Sequence, residues 1–495
     1  MINLSRFIGF HAARTPERVA LSYEGHRIGY AALAGRVALT AGWLRGRGIG
    51  EGDVVAVLMK NSAAFVEIAI AVGHVGGVFL PINFRLSADE VGYICGDAGA
   101  KLLVADEELA SAAGTPCPVV LVDVAARADS TRLAAGAVPA EAVPRRPQDL
   151  FRLMYTSGTT DRPKGVMHSY ENFYWKCCDH VMALGLSAES RLLVVGPLYH
   201  VGAFDLPGMA VLWQGGMLHI IRDYTPRAVL EAIAAEQLDC AWMAPVMTSG
   251  VLAEAPGCGL DLSSLRWVIG GGERTPEARI RAFGASFPNG RYIDAYGLTE
   301  TCSGDTLMEA GRELEKIGSV GRALAHVEIS IRDEAGQALP AGEAGEICLR
   351  GPKITRGYWN DPVKTAAAFH GDWFRSGDMG YLDAEGFLFL TDRMKDMIIS
   401  GGENIASSEV ERVVFELPQV REVAVIGAPD PRWGERPVAF VVLEPGTALT
   451  LDELVAHCRA RLAAFKAPRA LMLRETLPRN PSGKILKRVL REELR

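Results

Sequence analysis

The sequence predicts an α/β protein with a smaller C-terminal domain, and three observations carry that expectation. The chain has 495 residues, more than one hydrophobic core ordinarily serves. From about Leu21 to Asp305, short apolar runs alternate with longer helical patterns. Beyond about Glu315 the texture changes to alternation in period two around turn residues.

In order, DVVAVLM (53–59), GGVFLPIN (76–83), KLLVAD (101–106), RLLVVGP (191–197) and RWVIGGG (266–272) read as strands. Several are apolar at consecutive positions, as strands buried on both faces of a mostly parallel sheet must be. Between them lie helical segments such as Asn61–Gly73 and Pro276–Phe283, the latter with Pro at its first position. This is α/β layering, expected as doubly wound sheets in a large N-terminal domain. VEISIRDEAGQALPAGEAGEICLRG (327–351) predicts antiparallel hairpins, a small β-barrel-like subdomain. Charges then cluster between two strand-like pieces at 390–405. Beyond them, Ser408–Glu411 and Thr450–Glu453 carry the capping-box pattern that opens a helix, so a small α+β domain is expected. The predicted division is 1–391, a hinge at 392–396, and 397–495.

Composition narrows the function. The 52 basic and 59 acidic residues leave a net charge of -7, which argues against nucleic acid as a partner. The 9 cysteines are scattered without zinc spacing and suit free thiols in a reducing compartment. The first residues lack a basic start followed by an unbroken apolar core, so no secretory leader is expected and the predicted location is cytoplasmic. The longest apolar stretch, Phe65–Ile82, is interrupted by Glu67, His74 and glycines, and reads as a buried helix running into a strand. No transmembrane segment is expected; peripheral membrane contact and a monomer or homodimer stay open.

The most informative segment is Thr156-Ser157-Gly158-Thr159-Thr160-Asp161-Arg162-Pro163-Lys164-Gly165, placed after an apolar strand end. Hydroxyls and glycine amides grouped with a lysine suit a polyphosphate, because glycine lets the backbone approach the anion and lysine supplies a point charge. A P-loop NTPase would need Gly before the Lys and Ser or Thr after it. Pro163 and Gly165 stand there instead, and that reading fails.

This segment resembles the nucleotide loop of the adenylate-forming superfamily, in its AMP-forming acyl-CoA synthetase branch. LYHVGAF (198–204), GGERTP (271–276), DAYGLTE (294–300), WFRSGDMGYLD (373–383), DRMKDMIISGGENI (392–405) and PRNPSGKIL (478–486) follow in the family's order and span nearly the whole chain. The resemblance implies ATP, Mg²⁺ and coenzyme A, with a small carboxylic acid as substrate. It implies that Thr156, Ser157, Gly158, Thr159, Thr160 and Lys164 hold the β- and γ-phosphates. Tyr296 and Gly297 would meet adenine with Gly272, Glu273 and Arg274 along its edge. Thr299 would reach the α-phosphate, and Glu300 would ligate the metal. Asp378 would bind ribose with Arg393 nearby. Lys484 would be the adenylation lysine, Lys395 the hinge, and Gly401 and Gly402 part of the coenzyme A path. His200, Phe204, Asp205, Gly271, Cys302 and Asp305 would line or border the acid pocket. Lys484 lies near the chain end, so it would enter the site only when a mobile C-terminal domain folds over it.

The chain also departs from the family. Asp161 stands where glycine is usual, an acid beside phosphates. Glu273-Arg274 replaces the usual small residue and proline. Asp205 and Asp305 stand where apolar or small residues are common. Each is expected either as a hydrogen-bonded acid or as part of a pocket selecting an amine, hydroxyl or ring-keto group. Trp433-Gly434-Glu435 reads as a coenzyme A contact or as surface packing. The expected reaction is acyl-CoA formation through an acyl-adenylate. The alternatives are loading of a carrier protein, an amine-containing acid as substrate, and a nucleotide-binding regulator that has lost catalysis; Lys164, Glu300 and Lys484 weigh against the last.

Overall fold

The apolar runs assemble into sheets. In the computed structural model, which describes residues 3–156, 163–271, 275–393, 396–400, 403–479 and 485–494, the first sheet runs Val119–Val122, Ala100–Asp106, Val54–Leu58, Val78–Pro81, Leu150–Thr156, Lys164–Ser169. Its strands are parallel except for the last pair, which is antiparallel. Every residue of Val54–Leu58 is buried, which is why that run shows no polar alternation. Helix Ala63–His74 is buried from Ala63 to Gly73, Glu67 included. Glu67 is tolerated there because Arg36 Nη1 reaches its carboxylate at 3.0 Å. No helix among the described residues is long and apolar enough to cross a membrane.

A second sheet is parallel through Arg291–Tyr296, Trp267–Gly271, Cys240–Trp242, Arg191–Val194, Met217–Ile220 and Val19–Tyr23. Antiparallel strands flank it: Thr306–Leu307 on one side and His26–Gly29 on the other. The parallel strands place their carboxyl ends together, where open α/β sheets present their ligand sites. The loops that leave Thr156, Val194, Gly271 and Tyr296 carry the predicted site residues.

The chain divides into two compact units, one of residues 1–328 and 350–374, the other of 329–349 and 375–495. The second contains most of a strand series, Glu328–Arg332, Gly345–Arg350, Trp373–Leu382 and Phe387–Arg393, the last two of which pair antiparallel. It also contains a sheet ordered Glu403–Ile405, Ile398–Ser400, Gly434–Leu443, Val420–Asp430, with Ala470–Leu473 parallel to Gly434–Leu443. Side chains of this sheet alternate between two cores, as the pleat requires. Val423, Val425, Ala439 and Val441 meet helices Ser407–Val414 and Leu451–Arg459. Ala424, Ile426, Val438 and Phe440 meet Leu490 of helix Lys487–Glu492.

Two helix starts differ from the sequence reading. Pro276 caps the helix from outside with extended backbone, and the helix is Glu277–Ser286. Ser408 does not cap, because helix Ser407–Val414 begins one residue before it. Its hydroxyl donates to the Thr391 carbonyl, and Glu411 pairs with Lys487 Nζ at 2.8 Å. The Thr450–Glu453 box is formed in both directions.

Candidate active site

Lys164 opens the strand that follows the phosphate loop. Its Nζ donates to Tyr358 Oη at 2.7 Å and lies 3.9 Å from the ring centroid. Tyr358 donates on to Glu300 Oε1 at 3.0 Å, itself 3.4 Å from the same ammonium. Burial and the Glu300 charge both push the phenol up, so it stays protonated and can donate. Backbone pairing fixes the trio: Trp359 N donates to Gly165 O at 2.7 Å and Thr355 N to Glu300 O at 2.7 Å. Thr156, on the facing strand end, has a buried Oγ1 without a partner among the described residues. A buried hydroxyl left open costs stability unless something external accepts from it, which fits a phosphate oxygen.

Tyr296 is buried at the end of its strand. A Cβ on Gly297 would stand 2.3 Å from Gly304 N, so only glycine allows the return of the chain there. Cys302, Ser303 and Gly304 all have left-handed φ, of 54°, 63° and 63°. Two non-glycine residues in that region need outside support, and Lys353 gives it. Fully buried, its Nζ donates to Ser303 O at 3.0 Å and Gly304 O at 2.6 Å, and pairs with Asp305 Oδ1 at 2.9 Å. Thr301 Oγ1 donates to the other Asp305 oxygen. Burial pushes the Asp305 carboxyl up while Lys353 pulls it back.

Asp205 is equally engaged. Arg152 grips it through both guanidinium nitrogens, at 2.7 and 2.6 Å, with both side chains buried. The same guanidinium donates to His168 Nδ1 at 3.1 and 2.9 Å, and His168 Nε2 donates to Thr299 O at 2.6 Å. Burial, with the Arg152 charge beside it, holds this imidazole far below its ordinary value. It is therefore neutral, with Nδ1 accepting. Neither acid has an oxygen free for a substrate amine.

His200 starts a short turn and its Nδ1 accepts from Gly202 N at 3.1 Å. The Trp242 ring stacks on it at 6.3 Å, and a Cβ on either Gly196 or Gly202 would come within 2.4 Å of that indole. These glycines make room for the tryptophan. Phe204 packs with Phe65, Phe79 and Phe173 in an aromatic cluster. Gly271 closes its strand, and a Cβ there would sit 3.0 Å from Ala295 O.

In the second unit Asp378 is buried, its N–H donating to Ser376 Oγ at 3.0 Å, and it pairs in register with Arg393. Trp433 is exposed under the Arg432 guanidinium at 4.7 Å. Arg491 holds Asp396 at 2.8 Å. Ser157, Gly158, Thr159, Thr160, Asp161, Gly272, Glu273, Arg274, Lys395, Gly401, Gly402 and Lys484 lie outside the described residues.

Sequence reasoning missed Arg152, His168, Trp242, Lys353 and Tyr358. A charge inside an apolar run was the available signal for Arg152, in FRLMY (151–155).

The AMP-binding enzyme family profile matches residues 10–359, and the AMP-binding enzyme C-terminal domain matches 409–484. The chain belongs to the AMP-forming acyl-CoA synthetases. It is 37% identical to a feruloyl-CoA synthase of an Amycolatopsis species, covering 96% of each chain. It is 35% identical to a long-chain-fatty-acid–CoA ligase of Mycobacterium tuberculosis, over 94% of this chain and 93% of the other. The structure of the Bacillus subtilis o-succinylbenzoate CoA synthetase in complex with its acyl-adenylate intermediate matches with a TM-score of 0.89 at 32% identity, covering 98% and 97%. As an acyl-CoA synthetase, the chain joins an acid to ATP and then to the thiol of coenzyme A. The carboxylate displaces pyrophosphate from the α-phosphate. The thiolate then attacks the acyl carbonyl and AMP leaves. In the first step the nucleophile is already ionised, so the site's task is charge stabilisation and alignment.

Proposed function

We propose that Lys164, Tyr358 and Glu300 form the phosphate-side machinery of this ligase, and that the acid enters beside His200 and Trp242. The Lys164–Tyr358–Glu300 contact carries the reading. It places a cation, a donor and a carboxylate within hydrogen-bond range of one another next to the unpartnered Thr156 hydroxyl. Glu300 is a carboxylate with one oxygen in that contact, and Mg²⁺ takes few protein oxygens beside phosphate oxygens, so the residues fit the ion. Held by Glu300 and the nucleotide, Mg²⁺ would neutralise phosphate charge. Thr299 serves the α-phosphate, Tyr296 and Gly297 the adenine, and Asp378 with Arg393 the ribose. Lys484 is the adenylation lysine, with the hinge at 392–396 about Lys395.

For the acid, the relatives named feruloyl-CoA synthase and o-succinylbenzoate CoA synthetase favour an aryl acid, while the mycobacterial relative is named for fatty acids. The stacked Trp242–His200 pair supports an aromatic body. The test is ATP–pyrophosphate exchange without coenzyme A, then AMP release on its addition, over an acid panel. Exchange that fails for every acid would sink the reading, and Glu300→Gln retaining full exchange would remove the metal assignment.

A further inference from the structure

Lys176 has no described role, yet it is among the largest fully buried side chains of the protein. It lies on helix Tyr170–Leu184, and its Nζ has no hydrogen-bond partner among the described residues. The Phe173 ring centroid is 5.4 Å away, a weak compensation for a dry ammonium. Asp179, one turn on, is bound to His326 at 2.6 Å.

The surroundings sharpen the anomaly. The Cys302 thiol stands among the charges of Arg152, Asp205, Lys353 and Lys176. Two of these cations already have acids: Arg152 holds Asp205 on both oxygens, and Lys353 pairs with Asp305. The nearby imidazoles of His168, His180 and His200 are all held down by burial, hence neutral. Lys176 is the cation left over. An ammonium without a partner is costly in such a place, and a ligand oxygen beside it would relieve that cost. Burial lowers the ammonium's own value and the Arg152 charge adds to that, with Cys177, Asp205 and Cys302 only partly opposing it.

Asp205 lies in the turn that begins at His200, beside which the acid is proposed to enter, and Cys302 is among the residues expected to border it. Resting on that reading, we propose that Lys176 determines acid specificity. The substrate carries, remote from the carboxylate that is activated, a second oxygen group that Lys176 binds: anionic, or a strong hydrogen-bond acceptor. A plain alkyl or aryl monoacid would leave the ammonium uncompensated, and a site built around a polar partner rejects analogues that lack it.

The experiment uses the full chain and matched pairs: octanoate with octanedioate, benzoate with terephthalate, and cinnamate with its 4-carboxy and 4-hydroxy derivatives. Exchange of pyrophosphate into ATP gives kcat/KM for each. Wild-type protein should favour the oxygen-bearing member of at least one pair by about tenfold or more. Lys176→Met should lose that preference, chiefly on the oxygen-bearing acid, and Lys176→Arg should keep part of it. A wild-type preference for the plain member in every pair overturns the proposal, with or without a folded variant. So does Lys176→Met slowing both members of a pair equally. If wild-type protein gives exchange with no acid at all, the ligase reading itself is what has failed.

Discussion

Two sets of charges lie in the first unit, and they are built differently. Arg152, Asp205, His168, Lys353 and Asp305 are enclosed and matched to internal partners, while Lys176 beside them is enclosed without one among the described residues. In the trio of Lys164, Tyr358 and Glu300 the two charges are partly open, the Lys164 side chain 30% and Glu300 12% exposed, with the buried Tyr358 between them. The enclosed set fixes backbone: it ties the strand of Arg152, the turn of Asp205 and the carbonyl of Thr299 together. The open set can trade its mutual contacts for a nucleotide. Charge that is closed off and matched serves as scaffold, and charge that keeps a water-facing side or lacks an internal partner is available to a ligand.

That contrast can be broken at several points. The largest effect should come from Arg152→Met, which strands Asp205 and should lower stability by about 3–5 kcal/mol. Chemical unfolding of Arg152→Met/Asp205→Leu should recover most of the loss; if the double variant is as weak as the single one, the pair is not the cause. Glu300→Gln should leave stability within about 1 kcal/mol yet cut adenylation roughly 10²–10³-fold, from the loss of charge stabilisation. A large fall in its melting temperature would erase the distinction between the two sets.

Next is pH. His168 and His180 bind protons less readily folded than unfolded. Stability from these groups is therefore full above the unfolded value of about 6.5 and declines as pH falls below it, by up to about 1.4 kcal/mol per pH unit for each. Urea midpoints between pH 5 and 7 should show the decline, and His168→Gln should flatten it. The smallest change is Tyr358→Phe, expected to slow adenylation about tenfold without a stability cost above ~1 kcal/mol. Unaltered exchange would reduce Tyr358 to packing.

How much of this was legible beforehand follows from range. The buried parallel strands were readable because Val54–Leu58 and Ala100–Asp106 declare themselves within a few residues. The family motifs were readable for the same reason. Partners were not, because Asp205 meets Arg152 across 53 positions and Tyr358 meets Lys164 across 194. For the acids, sequence could only leave two outcomes open; the cations opposite them decide what their oxygens do. The Ser408 box misled because the same pattern serves a helix start or a tertiary contact, and Lys487, far along the chain, takes Glu411.

One feature of the second unit reaches further. The buried members of both cores flanking the Val420–Asp430 and Gly434–Leu443 strands come from between Ile398 and Leu490. A sheet padded on each side by its own helices is a self-contained cassette. Natural recombination could exchange such a piece between relatives while leaving the residues proposed to meet the acid, Lys176 and Trp242, with the parent that supplied the remainder.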